Sequence, residues 1–263
     1  MTQPPILLHA LPAPRQLPVI AAFTHMVNSI RHNWRVGARH GLPWVALLTL
    51  FKAWSLWSPE VATPGAEPPV SWQDILALGV GIVATSSIAL SWHRYILLDE
   101  PPASVPPFRM DRLVWRYVGR SCFIGAVGIA PLVGIALLSE LMPAALVPVW
   151  LALGMAIVVI LIRLSISLVG TALGLTDFGL KAALIASRGN MMRILGLIGL
   201  TGLVEILLLI TVALPMAAVQ PDPPAWALPA TILLSIPVQL VAVLFNVTLL
   251  TTLYGFFVER RDF

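Results

Sequence analysis

Ser121–Ser139 and Leu141–Ile162 are two runs without a single charged side chain, separated only by Glu140. In hydrocarbon every backbone N–H and C=O has to be satisfied within the chain, and a helix of about 20 apolar residues crosses the roughly 30 Å of a bilayer core. Two such runs in tandem leave little besides a helical membrane protein. Ile75–Trp92 and Trp226–Val258 are also uncharged, while Leu42–Ser58 and Ile194–Val219 are each interrupted once, by Lys52 and Glu205. The expected architecture is therefore all-α: a polytopic bundle of six transmembrane helices near 42–58, 75–97, 119–140, 146–170, 194–218 and 229–255. Charged residues make up 11% of the chain, against about a quarter in soluble domains.

The first 18 residues contain five prolines and lack a basic segment ahead of an apolar core. They are expected to be a disordered tail, residues 1–18, and not a cleaved signal peptide. Residues 19–263 then form one six-helix transmembrane domain. Cys122 is the only cysteine, so neither a disulfide framework nor a Cys-based metal site arises within one chain.

Fourteen of the sixteen Lys and Arg residues fall on one side of the six spans; the other two, Lys52 and Arg163, fall inside them. The opposite connections carry Glu60, Glu67, Asp74, Glu140 and Asp222 and no basic residue. The positive-inside rule then places both termini in the cytoplasm. The pI near 9.8 thus reflects topology and does not point to nucleic acid. Trp34, Trp92, Trp115, Tyr95, Tyr117 and Tyr254 at the inner boundary, and Trp57, Trp72, Trp150 and Trp226 at the outer one, are expected to form the aromatic belts of a membrane protein.

The chain also carries an internal repeat. RHNWRVGAR (31–39) and RLVWRYVGR (112–120) share R-x-x-W-R-x-x-x-R at an offset of 81, and RGNMMR (188–193) is a fainter third copy. Arg31, Arg35 and Arg39, like Arg112, Arg116 and Arg120, recur at i, i+4, i+8 and would stripe one helix face. Apolar residues recur at helical spacing from Val19 to Ile30 and from Leu180 to Met191, the latter after a capping Thr176-Asp177. Amphipathic helices lying in the interface are expected there. Three helical hairpins follow, the first and last preceded by an interfacial helix.

No nucleophile–base spacing, HExxH, P-loop or dinucleotide fingerprint is present, so neither an enzyme nor a cofactor is expected. His25 and His32, seven apart, suit the headgroup level better than a metal, and no metal site is expected. The charges inside the spans stand out, because burying a charge at the bilayer centre costs at least about 2.5–3.5 kcal/mol on insertion scales. Glu205 and Arg163 lie at similar depth. With Lys52, and with Asn246 and Gln239 of the last span, they make either a gated pair in a substrate path or a fixed lock between helices. Gly196, Gly199 and Gly202, and the G-x-x-x-G of Gly170 and Gly174, suit close helix packing.

The stretches SIRHNWR (29–35), ALSWHRYILLDE (89–100) and DFGLKAALIASRGNMMR (177–193) resemble multi-pass bacterial inner-membrane proteins of the YciC-like and glycerophosphodiesterase membrane-domain type. That resemblance implies a membrane architecture in a bacterial inner membrane. It transfers no catalytic residue, since no phosphodiesterase domain is present. Two functions are expected to compete: a non-catalytic membrane protein whose basic face binds anionic lipid, a membrane-protein partner or a second copy, and a small-molecule or ion transporter, or its accessory subunit, that uses the intramembrane charges.

Overall fold

The computed structural model describes residues 15–57, 72–101, 108–139, 146–218 and 227–263. Among them are seven α-helices and no strand: α1 (Val19–Trp57), α2 (Trp72–Leu98), α3 (Arg112–Ser139), α4 (Val147–Ala172), α5 (Leu180–Ala186), α6 (Met191–Ala218) and α7 (Ala227–Phe257). Five of them, α2, α3, α4, α6 and α7, are long and apolar enough to cross a bilayer. The chain is a multi-pass integral membrane protein. Residues 1–14 of the expected tail, the connections holding Glu60, Glu67, Glu140 and Asp222, Trp226, and the side chains of Lys52 and Trp57 lie outside the described residues.

The count of five and not six traces to α1. Its last sixteen residues, Leu42–Trp57, include Lys52, and the preceding turn carries Arg39 and His40, so no window of α1 matches the hydropathy of the other spans. The segment ahead of Leu42–Trp57 is helical and runs into it without a gap: α1 is one 39-residue element in which two helices meet across a kink at Asn33 (φ −112°, ψ 16°). Asn33 Nδ2 donates to Ser29 O at 2.8 Å and its Oδ1 accepts the Tyr95 hydroxyl at 2.8 Å, side-chain bonding of the kind that competes with a regular helix. Asn190, at the matching position of RGNMMR, sits just ahead of α6 and accepts Ile194 N–H on its carbonyl at 2.8 Å. Both asparagines therefore mark the point where a short helical segment gives way to a long helix.

Consecutive helices pack from α1 through α5 and again between α6 and α7, but the arrangement is not three independent hairpins. The most extensive contact joins α1 to α7, and α7 also lies against α2, α4 and α6. Gly37 and Gly41 allow it. A Cβ on Gly37 would stand 2.7 Å from Leu244 Cδ1 and 3.2 Å from Trp92 Cζ3, and one on Gly41 would overlap Leu240. This is the close approach that G-x-x-x-G provides. The expected motif at Gly170 and Gly174 works otherwise. Gly170 makes room for Phe178, whose Cδ1 would lie 2.7 Å from an added Cβ, and Gly174 adopts φ +79°. There it ends α4 in a Schellman turn, with Leu175 N–H on Gly170 O at 2.9 Å and Gly174 N–H on Thr171 O at 3.1 Å. Gly199 and Gly202 face open space.

α3 begins after Asp111, whose Oδ1 accepts Leu113 and Val114 N–H at 3.0 and 3.1 Å, an N-cap. Burial works against ionisation of this carboxyl, but the Arg109 hydrogen bond and the two amides outweigh it and hold its pKa below the ordinary value. The expected cap at Thr176-Asp177 does not form. The Thr176 hydroxyl bonds Asp177 Oδ1 at 3.0 Å, and α5 starts from Gly179 without a side-chain cap.

The aromatic belt is only partly realised. Trp34, Trp72 and Trp115 are more than half exposed, whereas Trp92, Tyr117 and Tyr254 are 2–4% exposed. Those three face the protein core and not the headgroups, because the helix ends at this side pack together and leave no lipid against them. Arg15–Pro18 also belong to the folded body: Leu17 is fully buried and its N–H donates to Asn190 Oδ1 at 2.8 Å.

Candidate functional site

The basic end of the bundle contains two populations of arginine. Arg94 and Arg109 share Glu100, and Arg109 also bonds Asp111 at 2.7 Å. Arg15 pairs with Asp262, Arg261 with Glu259, and Arg193 with Leu17 O and Gln16 Oε1. The stripe residues differ. Arg31, Arg35, Arg39, Arg112 and Arg116 are exposed and have no hydrogen-bond or ion-pair partner among the described residues; Arg35 lies over the Trp34 ring at 5.8 Å. Of the six, only Arg120 is engaged, donating Nη1 to Thr171 Oγ1 at 2.7 Å. The unpaired Arg39 and the ion-paired Arg109 both act on His40, which is buried. Burial, then Arg39 and Arg109, hold its pKa below the ordinary value against the opposing pull of Glu100.

Between the first turns of α3 and the end of α4 lies a recess of about 340 Å³, lined by Arg116, Gly119, Arg120, Thr171, Gly174, Leu175 and Thr176. It brings two of the three arginines of the second stripe to a concave surface with two hydroxyl groups.

The intramembrane residues are arranged differently from the expected Glu205–Arg163 pair. Arg163 donates Nε to Ser187 Oγ at 2.9 Å and Nη2 to Leu184 O at 2.6 Å. It caps the carbonyl end of α5, where a cation also meets the negative pole of the helix. Glu205 instead accepts Asn246 Nδ2 at 2.5 Å, joining α6 to α7. No ion pair links Glu205 to Arg163 among the described residues, and the Lys52 side chain lies outside them. Gln239 donates to Ser235 Oγ at 3.1 Å. Both Gln239 and Asn246 line an apolar cavity of about 600 Å³ together with Leu48, Gly81, Ser86, Tyr117 and Leu168.

Residue patterning missed the group behind this cavity. His93 is fully buried, its Nδ1 2.8 Å from Thr251 Oγ1 and its Nε2 3.4 Å from the Tyr117 hydroxyl. In sequence it looks like a boundary residue beside Arg94; only the rotation of α2 shows that it points inward. His25 and His32 are not brought together as ligands: His25 stacks on Phe263 at 4.5 Å, while His32 Nδ1 donates to Asn28 O at 2.7 Å. Comparison with protein-family models, curated proteins and solved structures yields no match to this chain.

Proposed function

We propose that this is a non-catalytic bacterial inner-membrane protein, of the YciC-like type, whose basic cytoplasmic face binds anionic lipid. The observation that carries this reading is the contrast between arginines. Those outside the repeated motif are largely consumed by carboxylates and carbonyls, whereas five of the six inside it are exposed and unpartnered among the described residues. With α1 as a sixth, less apolar crossing, both termini lie in the cytoplasm, the amphipathic segments before Asn33 and Asn190 lie at the interface, and the arginines meet the acidic leaflet. Each basic residue there contributes about 1 kcal/mol. Changing Arg31, Arg35 and Arg39 together to Gln is expected to weaken phosphatidylglycerol binding on the order of 100-fold in native mass spectrometry of the detergent-solubilised full chain. Affinity equal to the unmodified protein's would end this reading.

A second reading, transport, is favoured by one observation: Asn246, which holds Glu205, also lines the 600 Å³ cavity. Glu205→Gln retains an acceptor for Asn246 and should leave the thermal midpoint nearly unchanged. Proteoliposomes containing a pH-sensitive dye distinguish the two roles. If the wild type conducts protons and Glu205→Gln does not, the carboxylate carries transport; if neither conducts, it pairs two helices.

A further inference from the structure

We propose that the recess between α3 and α4 is a phosphate-binding subsite that takes the headgroup phosphate of an anionic glycerophospholipid. This rests on the lipid-binding reading and assigns it one place and one chemistry.

A simpler role for the two arginines would be to cap the carbonyl end of α4, but those carbonyls are already taken. Val169 O accepts Leu173 N–H at 3.0 Å, Gly170 O and Thr171 O accept the two bonds of the Schellman turn, and Ala172 O accepts Arg94 Nη1 at 3.1 Å. Arg116 and Arg120 are therefore surplus to the helix end. Asp177 offers no neutralisation either: its Oδ1 accepts the Thr176 hydroxyl, and no ion pair joins it to either arginine among the described residues.

The surplus charge is held in place. Thr171 gives its own proton to Ser167 O at 3.2 Å and accepts Arg120 Nη1 at 2.7 Å, which fixes one guanidinium while leaving its other N–H groups free to donate. Arg116 precedes it by one helical turn on the same face. Two guanidinium forks at one concave surface, the Arg120 fork held by Thr171, supply the N–H donors a tetrahedral oxyanion needs, the geometry in which Arg outperforms Lys.

Gly119 supplies the space. A Cβ there would meet nothing within 4 Å, and alanine is the better helix former by up to about 1 kcal/mol. Neither packing nor backbone geometry asks for glycine at this position; an open recess does. Its depth fits as well. The uncharged run of α3 begins at Ser121, so Arg116 and Arg120 stand where charge gives way to hydrocarbon, the level of lipid phosphate. Soluble phosphate esters share the chemistry but not the tether.

The test uses the full chain in non-ionic detergent, titrated with phosphatidylglycerol, phosphatidylcholine and sn-glycerol 3-phosphate and read by native mass spectrometry. Arg116→Gln is expected to weaken phosphatidylglycerol binding about fivefold, the factor corresponding to one interfacial basic residue. Gly119→Leu removes no charge yet fills the recess, and should weaken binding at least as much at an unchanged thermal midpoint. If Gly119→Leu binds like the wild type while the Arg31, Arg35 and Arg39 variant does not, the subsite is wrong and the broader lipid reading stands. If none of these variants loses affinity, both fall. Displacement of phosphatidylglycerol by an equal concentration of glycerol phosphate would overturn the lipid as the source of the phosphate.

Discussion

Trp44→Ala is expected to destabilise the protein by about 3–5 kcal/mol, the range for truncating a buried tryptophan. Trp44 is 2% exposed, packs with Ala84 and Ile88 of α2, meets the Phe108 ring edge-on at 5.0 Å, and donates Nε1 to Ser87 Oγ at 3.1 Å. The side chain thus ties the less apolar half of α1 to α2. Because that half carries Lys52, its own partition into lipid is weak, and contact with neighbouring helices has to hold it in place. Trp44→Phe keeps most of the packing and loses only the indole hydrogen bond, so it should recover all but about 1 kcal/mol. The check is thermal unfolding in detergent. A midpoint for Trp44→Ala equal to the wild type's would show that α1 does not depend on this contact.

How much of the molecule is legible in the sequence follows from which quantities are properties of one segment. An uncharged run such as Ser121–Ser139 reports its own insertion energy, and the five apolar helices coincide with runs visible in the chain. α1 is harder to read, because Lys52, His40 and Arg39 lower its hydropathy while its stability comes from Gly37 and Gly41 against α7. That pair is a G-x-x-x-G like Gly170 and Gly174. Nothing local separates the motif that packs a helix from the one in which a glycine terminates it. Glu205 is likewise recognisable as a charge needing a partner, but the choice of Asn246 over Arg163 depends on the rotation of α6 and on α5 offering Arg163 a carbonyl. The arginine stripes are the opposite case. A repeated R-x-x-W-R-x-x-x-R predicts a basic face, and five of its six arginines are exposed; the recess that gathers Arg116 and Arg120 requires Thr171 and Thr176, more than fifty residues away.

His93 yields the other large expected effect, and a graded one. The Thr251 hydroxyl donates its proton to Val247 O at 2.9 Å, so it can only accept from His93, and Nδ1 must carry the hydrogen. Nε2 is then the acceptor that faces the Tyr117 hydroxyl, a donor–acceptor relay requiring a neutral imidazole with one defined tautomer. His93→Ala removes both bonds and opens a void in a fully buried position, a loss of about 2–4 kcal/mol. His93→Asn places an amide N–H near the Nδ1 position, keeps the Thr251 bond and forfeits only the longer one, so it should cost roughly half as much. Leucine keeps the volume but neither bond and leaves Thr251 still satisfied through Val247; its cost should resemble that of asparagine. Thermal midpoints ordered wild type, then asparagine and leucine together, then alanine would locate the contribution in both packing and hydrogen bonding. If all three variants instead matched the wild type, the buried imidazole would hold neither α7 nor the Tyr117 wall of the cavity in place.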